Sequence, residues 1–430
     1  MLAHTKDKLC EVELQSEHTE LLHELEDRLN LDVWTRTTTD QGYRLVFRVP
    51  NEHSAETEEA LNSAGLPLKL LHDNVQEIMD AEKRRDERLA SLRPYIRGKP
   101  DSYDFAQYHP LLEAQKQCTL QIVDFLWGLS HKQNVSQIAQ LTSLGRGRTA
   151  LGLYIPLMKI GKPKVDESGR LVKKPAFFVE CNVHAREFIT AGTCVYWIHL
   201  FISRYASGDP EIKRYVDNID WYIVPVANPD GYVMARQEDR MWRKNLSGPH
   251  KYRGTEGLGV DLNRNWDSNF GGTGSSSYPK KDTYRGPWAF SEVETRAQRD
   301  FVLSKERNVK AYVSIHAYSQ MVLVPYCFST SEQPPDFQEL IRVGMAAAEA
   351  IKTRHGKVYA AGRCSTVVTY VCSGTSIDWA KQKGGVKWSF GTESRPARGG
   401  RGGFNPDPKE IIPNAEEQLK ALFVIADQLL

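Results

Sequence analysis

His184-Ala-Arg186-Glu187 follows directly on the apolar run Phe177–Cys181. A histidine and a glutamate three residues apart can set an imidazole nitrogen and a carboxylate on one cation. Catalytic zinc commonly takes three protein ligands and leaves a fourth position to water. His316 follows a second apolar run, Ala311–Ile315, and in open α/β sheets ligands bind at the carboxyl ends of strands. Taken alone, each histidine also reads as a hydrogen-bonded structural residue. Asp261-Leu-Asn263-Arg264-Asn265-Trp266 gathers polar groups just after Leu258–Val260. There an asparagine amide and an arginine fork could grip a carboxylate. Ser389-Phe-Gly-Thr-Glu393 ends a strand-like run in a carboxylate that could serve as a general base. A capped turn or a surface ion pair is the alternative reading of each of these last two.

Positioning such groups requires alternating strands and helices, and the chain supplies them. From residue 103 onward the pattern predicts helices over Pro110–Leu129, Phe188–Tyr205, Ser291–Lys305, Pro335–His355 and Pro413–Leu430. It predicts strands over Ala150–Pro156, Ala176–Cys181, Asn218–Val226, Val309–His316 and Val386–Phe390. This is a mixed α/β pattern.

The first part of the chain reads differently. Leu9–Leu14 alternates as a half-buried strand does, and Ser16 can cap a helix running to Leu29. Val33–Thr37 and Tyr43–Val49 read as strands joined at Asp40-Gln-Gly42, Glu56–Ala64 as a helix and Leu68–Leu71 as a last strand. The order βαββαβ is that of a split-βαβ sandwich. A highly charged helix, Val75–Leu92, leads into the Gly-, Pro- and Arg-rich stretch Arg93–Ser102, which reads as an exposed linker.

Composition narrows the classes. Hydrophobic residues make 40% and charged residues 26% of the chain, which excludes a disordered or collagen-like protein. A net charge of +2, from 56 basic and 54 acidic residues, argues against nucleic acid as the main partner. No apolar run approaches the ~20 residues that span a bilayer. The opening Met1–Cys10 has no apolar h-region, so no secretory signal is visible. Seven cysteines without a Cys-x-x-Cys pair disfavour a thiolate zinc knuckle. Sequon triplets stand at Asn134 and Asn245, a pattern that also arises often by chance.

Together these stretches resemble the zinc metallocarboxypeptidases of the pancreatic A/B type in their zymogen form. His184 and Glu187 match the family's His-x-x-Glu, and His316 matches the third ligand within Ser314-Ile-His-Ala-Tyr-Ser-Gln320. Arg243 of Trp-Arg-Lys matches the oxyanion-stabilising arginine. Asn263 and Arg264 match the pair that holds the substrate carboxylate, Tyr370 the mobile tyrosine, and Glu393 the catalytic glutamate. The resemblance covers nearly the whole chain.

It implies an α/β catalytic domain over 98–430, with a mixed central sheet and helices on both faces. A small α+β, ferredoxin-like activation domain would precede it over 1–97. It further implies one Zn2+ per chain, peptide or protein C-termini as substrate, and activation by a trypsin-like protease. Of the candidate sites Arg84, Arg85, Arg88 and Arg97, Arg97 is favoured for the final cut. The protein would be a secreted monomer, with a cytosolic location as the alternative. Tyr318 would be among the substrate-binding residues, and Arg186 would meet the substrate upstream of the cut bond, though it reads equally as a structural ion pair. Asp261 would hold a ligating imidazole from behind. Cys181 and Cys194 fall where the B-type enzymes carry a disulfide.

Ile377 stands where the base of the side-chain pocket is expected, which implies hydrophobic over basic last residues. Asp378 carries no weight for basic specificity, because A-type enzymes share it. Ser365, Thr369, Cys327 and Cys372 are expected to make the pocket more polar than usual, and Gly391 to enlarge it. A catalytically silent peptide binder, or a zinc hydrolase acting on a side-chain amide, are the competing classes. The intact set of catalytic-type residues disfavours the first and the activation segment the second.

Overall fold

The computed structural model describes residues 6–15, 18–29, 31–39, 42–92, 96, 99–111, 121–132, 135–397 and 403–430. The N-terminal body runs β1 (Lys8–Leu14), α1 (Thr19–Arg28), β2 (Asp32–Thr39), β3 (Gly42–Val49), α2 (Ser54–Ser63) and β4 (Lys69–His72). Its sheet has the order β2-β3-β1-β4 with every pair antiparallel. Alternation decides the buried face: Cys10, Val12 and Leu14 of β1 and Leu45, Phe47 and Val49 of β3 meet Leu22, Leu25 and Leu61 of the two helices. This is the βαββαβ order expected. Ser16, the Asp40-Gln41 turn and Asn134 lie outside the described residues, as do Arg93–Tyr95, Arg97 and Gly98.

Helix α3 (Val75–Leu92) has the expected bounds. Its buried positions Val75, Met79 and Glu82 recur at helical spacing. The two apolar ones join the core of the larger body. That body contains α4 (Gln121–Ser130), β5 (Ala139–Ser143), β6 (Pro156–Ile160), β7 (Ala176–Cys181), α5 (Phe188–Ala206), α6 (Pro210–Asn218) and β8 (Asp220–Val224). It continues with α7 (Pro229–Gln237), a short hairpin of β9 (His250–Tyr252) and β10 (Thr255–Gly257), and α8 (Val293–Leu303). Next come β11 (Val309–Ser319), β12 (Met321–Val324), α9 (Phe337–His355), β13 (Ala360–Arg363) and α10 (Cys364–Val367). It closes with α11 (Ser376–Gln382), β14 (Trp388–Ala397) and α12 (Ile411–Ala426).

The central sheet has the order β13-β12-β14-β11-β7-β8-β6-β5 and is mixed. Strands β14, β11, β7 and β8 are mutually parallel, while β12, β6 and β5 bring antiparallel pairs. Alternate residues serve the two faces. Phe177, Val179, Val313 and Ile315 pack under α5 and α12, and Phe178 and Tyr312 pack against Trp266, Phe290 and Trp379 on the other side. Helices therefore cover both faces, as the α/β reading requires. No described helix is long and apolar enough to cross a membrane.

Two local expectations need correction. Ala150–Pro156 is not a strand: the Asp230 carboxylate takes the Thr149 hydroxyl and the Leu151 amide. These bonds hold 149–153 in a turn, closed by a Gly152 N–H to Thr149 bond of 2.9 Å. The strand starts only at Pro156. The helix expected over Pro110–Leu129 is described from Gln121, and residues 112–120 lie outside the described set.

Candidate active site

The polar groups meet at the carboxyl ends of β7, β11 and β14. His184 and Glu187 follow β7 in a tight loop. Asn182, at φ 55°, turns the chain there, and its amide donates to the carbonyls of His184, Ala185 and Glu187 at 3.2–3.3 Å. Strand β11 brings His316 into parallel register with Glu393 of β14. Shared register between neighbouring parallel strands sets an imidazole beside a carboxylate without any loop having to fold.

His184 Nδ1 lies 2.7 Å from Glu187 Oε1 and 3.1 Å from His316 Nδ1. His316 Nδ1 is 3.4 Å from Glu187 Oε2. Behind them, His184 Nε2 lies 3.3 Å from Asp261 Oδ1, and His316 Nε2 lies 2.9 Å from Ser314 Oγ. The two Nδ1 atoms and the Glu187 carboxylate face one another, and Asn263 Nδ2 lies 3.3 Å from His316 Nε2; with Nδ1 unprotonated, the two imidazoles would offer lone pairs to the same point. A buried set of three acceptors fits a cation.

Burial alone would raise the Glu187 carboxyl, but His184 and His316 outweigh it and hold it far down. Asp261, fully buried, is likewise lowered against burial by Arg243, Arg264 and His184. Burial and the nearby Arg243 lower His184, whereas for His316 the Glu187 carboxylate overcomes burial and raises it.

Asp261 organises the next ring of groups. It accepts from Arg243 Nε at 3.0 Å and Nη2 at 2.9 Å, and from the Asn263 amide at 2.9 Å. Asn263 Oδ1 in turn accepts from Ser376 N at 2.9 Å. Arg264 donates from Nε to Gly274 O at 2.7 Å. The segment bearing Tyr370 approaches closely: a Cβ on Gly374, at φ +76°, would stand 2.3 Å from Arg264 O. Only glycine fits there. Tyr370 itself is 43% exposed.

His184, Glu187, His316, Arg243, Asn263, Arg264, Tyr370 and Glu393 line one cavity of about 840 Å³, together with Tyr318, Ile377 and Gly391. Ile377 is buried at the start of α11, 3.4 Å from where a Gly391 Cβ would lie. Asp378 faces away, since its carboxylate accepts from the amides of Cys327 and Phe328. Of the residues expected to make the pocket polar, Thr369, Cys327 and Cys372 line the cavity and Ser365 does not. The Ser365 hydroxyl is spent on Ser329 O, and Cys327 is bridged to Cys364, a disulfide no motif announced. Leu323, Met321 and Val368 complete an apolar wall. The Cys181–Cys194 bridge is present.

The N-terminal body covers the cleft, as the zymogen resemblance implies, through residues that the sequence alone did not single out. Leu31, Asp32, Val33, Trp34 and Arg48 of the N-terminal body line the same cavity. Asp32 is 3.1 Å from Arg186 Nη1, which also meets Asp282 at 3.3 Å. Trp34 Nε1 donates to Asp32 at 3.0 Å. Arg48 reaches both Asp7, at 2.8 Å, and Asp32, at 3.7 Å. Burial would raise the Asp32 carboxyl, but Arg186 and Arg48 pull it below its usual value. Further along, Glu82 of α3 accepts from Arg240 at 2.7 Å. Arg186 is thus in an ion pair here, with the N-terminal body as its partner. An acid and an indole at the start of a strand were visible in the sequence, but nothing local told that they face another body.

The zinc carboxypeptidase family model matches residues 129–421. The chain belongs to the zinc carboxypeptidase family. The model of the carboxypeptidase activation peptide matches residues 12–82. The chain is 35% identical over 406 residues to carboxypeptidase A2 of Rattus norvegicus, covering 94% of this chain and 89% of that one. To carboxypeptidase B of Bos taurus it is 32% identical over 429 residues, covering 99% and 93%. Among solved structures, carboxypeptidase A from Helicoverpa armigera superposes with a TM-score of 0.84 at 27% identity, over 99% of this chain and 98% of that one. Thrombin activatable fibrinolysis inhibitor gives 0.80 at 26% identity over 99% of both. This zinc carboxypeptidase is therefore a hydrolase acting on peptide C-termini and carried with an activation peptide.

Proposed function

We propose that the chain is the zymogen of a secreted, monomeric enzyme that removes hydrophobic residues from peptide C-termini. One zinc would be held by His184, Glu187 and His316. The observation that carries the reading is the convergence of two Nδ1 atoms and one carboxylate on one buried point beside Glu393. Zinc bound there supplies Lewis acidity, which polarises a carbonyl and lowers the pKa of water toward about 7.

The chain's own residues do the rest. Glu393 takes the proton of the attacking water and delivers it to the leaving amine. Arg243, fixed on Asp261, meets the charge that develops on the carbonyl oxygen. Asn263, Arg264 and Tyr370 hold the terminal carboxylate. An internal peptide bond offers nothing to that grip and leaves the polar groups unpaired. Tyr318 and Arg186 contact the residues upstream. Ile377, Leu323 and Gly391 take the last side chain. A buried lysine or arginine there would find no carboxylate, since Asp378 is committed to backbone amides. An Ile377→Asp variant should raise kcat/KM for C-terminal Arg relative to Phe. An unchanged ratio, measured on matched blocked peptides, would reject the assignment.

The activation domain, residues 1–97, would inhibit by covering the cavity while leaving the metal ligands and Glu393 assembled in the catalytic domain, 98–430. A trypsin-like protease cutting in the linker would release it. Arg97, favoured for the final cut, lies outside the described residues, and Arg84 and Arg88 are exposed on α3. Limited trypsin digestion should raise activity as a fragment beginning near Gly98 appears. Asp32→Ala should raise the activity of the intact chain before any cut, because truncating one partner of a buried charge pair commonly costs about 2–5 kcal/mol of an interface. Intact chain as active as the fragment would contradict the zymogen reading, and an unaltered Asp32→Ala zymogen would contradict the latch.

A further inference from the structure

Three sulfur atoms share the wall of the side-chain cavity. Those of Cys327, Cys364 and Cys372 all lie within 4.8 Å of one another and all three residues line the cavity. Cys327 and Cys364 are bridged, with Cα atoms 4.7 Å apart, and Cys372 is a buried free thiol. The bridged pair stands on firm supports. The Asp378 carboxylate holds the Cys327 amide at 2.8 Å, and Cys364 opens α10 directly after β13. Cys372 belongs instead to the segment that carries Tyr370. Its N–H donates to Cys327 O at 3.0 Å. That contact brings the two main chains into the range of a disulfide, whose Cα atoms are usually about 4.4–6.8 Å apart. A thiol beside a disulfide is one displacement away from a different pairing.

We propose that Cys327, Cys364 and Cys372 form a thiol–disulfide exchange centre in which Cys372 replaces Cys364 on Cys327 and ties the Tyr370 segment to the end of β12. The Cys372 thiolate attacks Cys327 Sγ. The Cys327–Cys372 bond forms as the Cys327–Cys364 bond breaks, and the electron pair leaves on Cys364 Sγ. Cys364 gains one proton for the one that Cys372 loses, so neither oxidant nor reductant is consumed. Burial pushes the Cys372 thiol up to about 11, with Asp378 and Asp261 adding to this and Arg264 and Arg243 opposing it. Little thiolate exists at neutral pH, which keeps the present pairing long-lived. The consequence for activity rests on the carboxylate-holding role proposed for Tyr370: tethering its segment would restrain a group that must reach the substrate.

The test uses the trypsin-released enzyme, incubated at mildly alkaline pH, alkylated with iodoacetamide under denaturing conditions and mapped by mass spectrometry. Among Cys327, Cys364 and Cys372, the alkylated thiol should shift in part from Cys372 to Cys364 as a Cys327–Cys372 cross-linked peptide accumulates. Alkylation of Cys372 with none of Cys364 at every time would overturn the proposal. Cys364→Ser, treated with oxidised glutathione as the oxidant, gives a second reading. A Cys327–Cys372 cross-link and a several-fold drop in kcat/KM, reversed by a reducing thiol, are expected. Two thiols that stay free in that variant would overturn the exchange. A cross-link without a change in kcat/KM would support the exchange and count against the role of Tyr370.

Discussion

Replacing Glu393 by glutamine should lower kcat by about 10²–10⁴-fold, or roughly 3–5 kcal/mol in the barrier, with zinc still bound. Glutamine keeps the shape of the side chain and its place in register with His316. It cannot take a proton from water at neutral pH. Metal retention follows because Glu393 is not among the three acceptors that converge on one point. Single-turnover rates and metal content measured on the same preparation decide it. Near-normal kcat would remove Glu393 from the mechanism, and loss of zinc would make it a ligand instead.

Replacing His316 by alanine should remove zinc and activity together. The change deletes one of three ligating atoms and leaves Glu187 with a single imidazole, while its second oxygen keeps the Ala317 amide at 3.1 Å. Two protein ligands hold zinc far more weakly than three. Metal content after dialysis against a weak chelator should fall from about one zinc per chain to nearly none. Limited digestion should still give the same large fragment, because His316 lies in β11, whose packing is held by Val313 and Ile315. Full occupancy and activity in this variant would refute the ligand set.

Much of this site was legible in the sequence for a definite reason. His184, His316 and Glu393 follow short apolar runs that fit buried strands, which placed them where strands converge. Their roles, and those of Arg243, Asn263, Arg264 and Tyr370, came from the family resemblance. Ala150–Pro156 misled because Leu151, Leu153 and Ile155 alternate as a strand does, whereas a carboxylate distant in sequence, Asp230, bends that segment. The Cys327–Cys364 bridge was invisible because cysteine positions do not dictate connectivity. The Asp32–Arg186 pair spans two separately folded bodies. The resemblance placed an inhibitory domain over the cleft, but no local pattern encodes which residues make the contact, so the pair itself had to be read from the structure.

The central claim is that Asn263, Arg264 and Tyr370 make the site an exopeptidase by gripping a free terminal carboxylate. The trypsin-treated protein should be given two N-terminally blocked peptides ending in Phe, identical except that one is a free acid and the other a C-terminal amide. Release of the last residue from each is followed with and without a chelator. Rapid release from the free acid, abolished by the chelator and reduced by orders of magnitude for the amide, is the predicted result. Equal rates for the acid and the amide, or release that survives removal of the metal, would contradict the account.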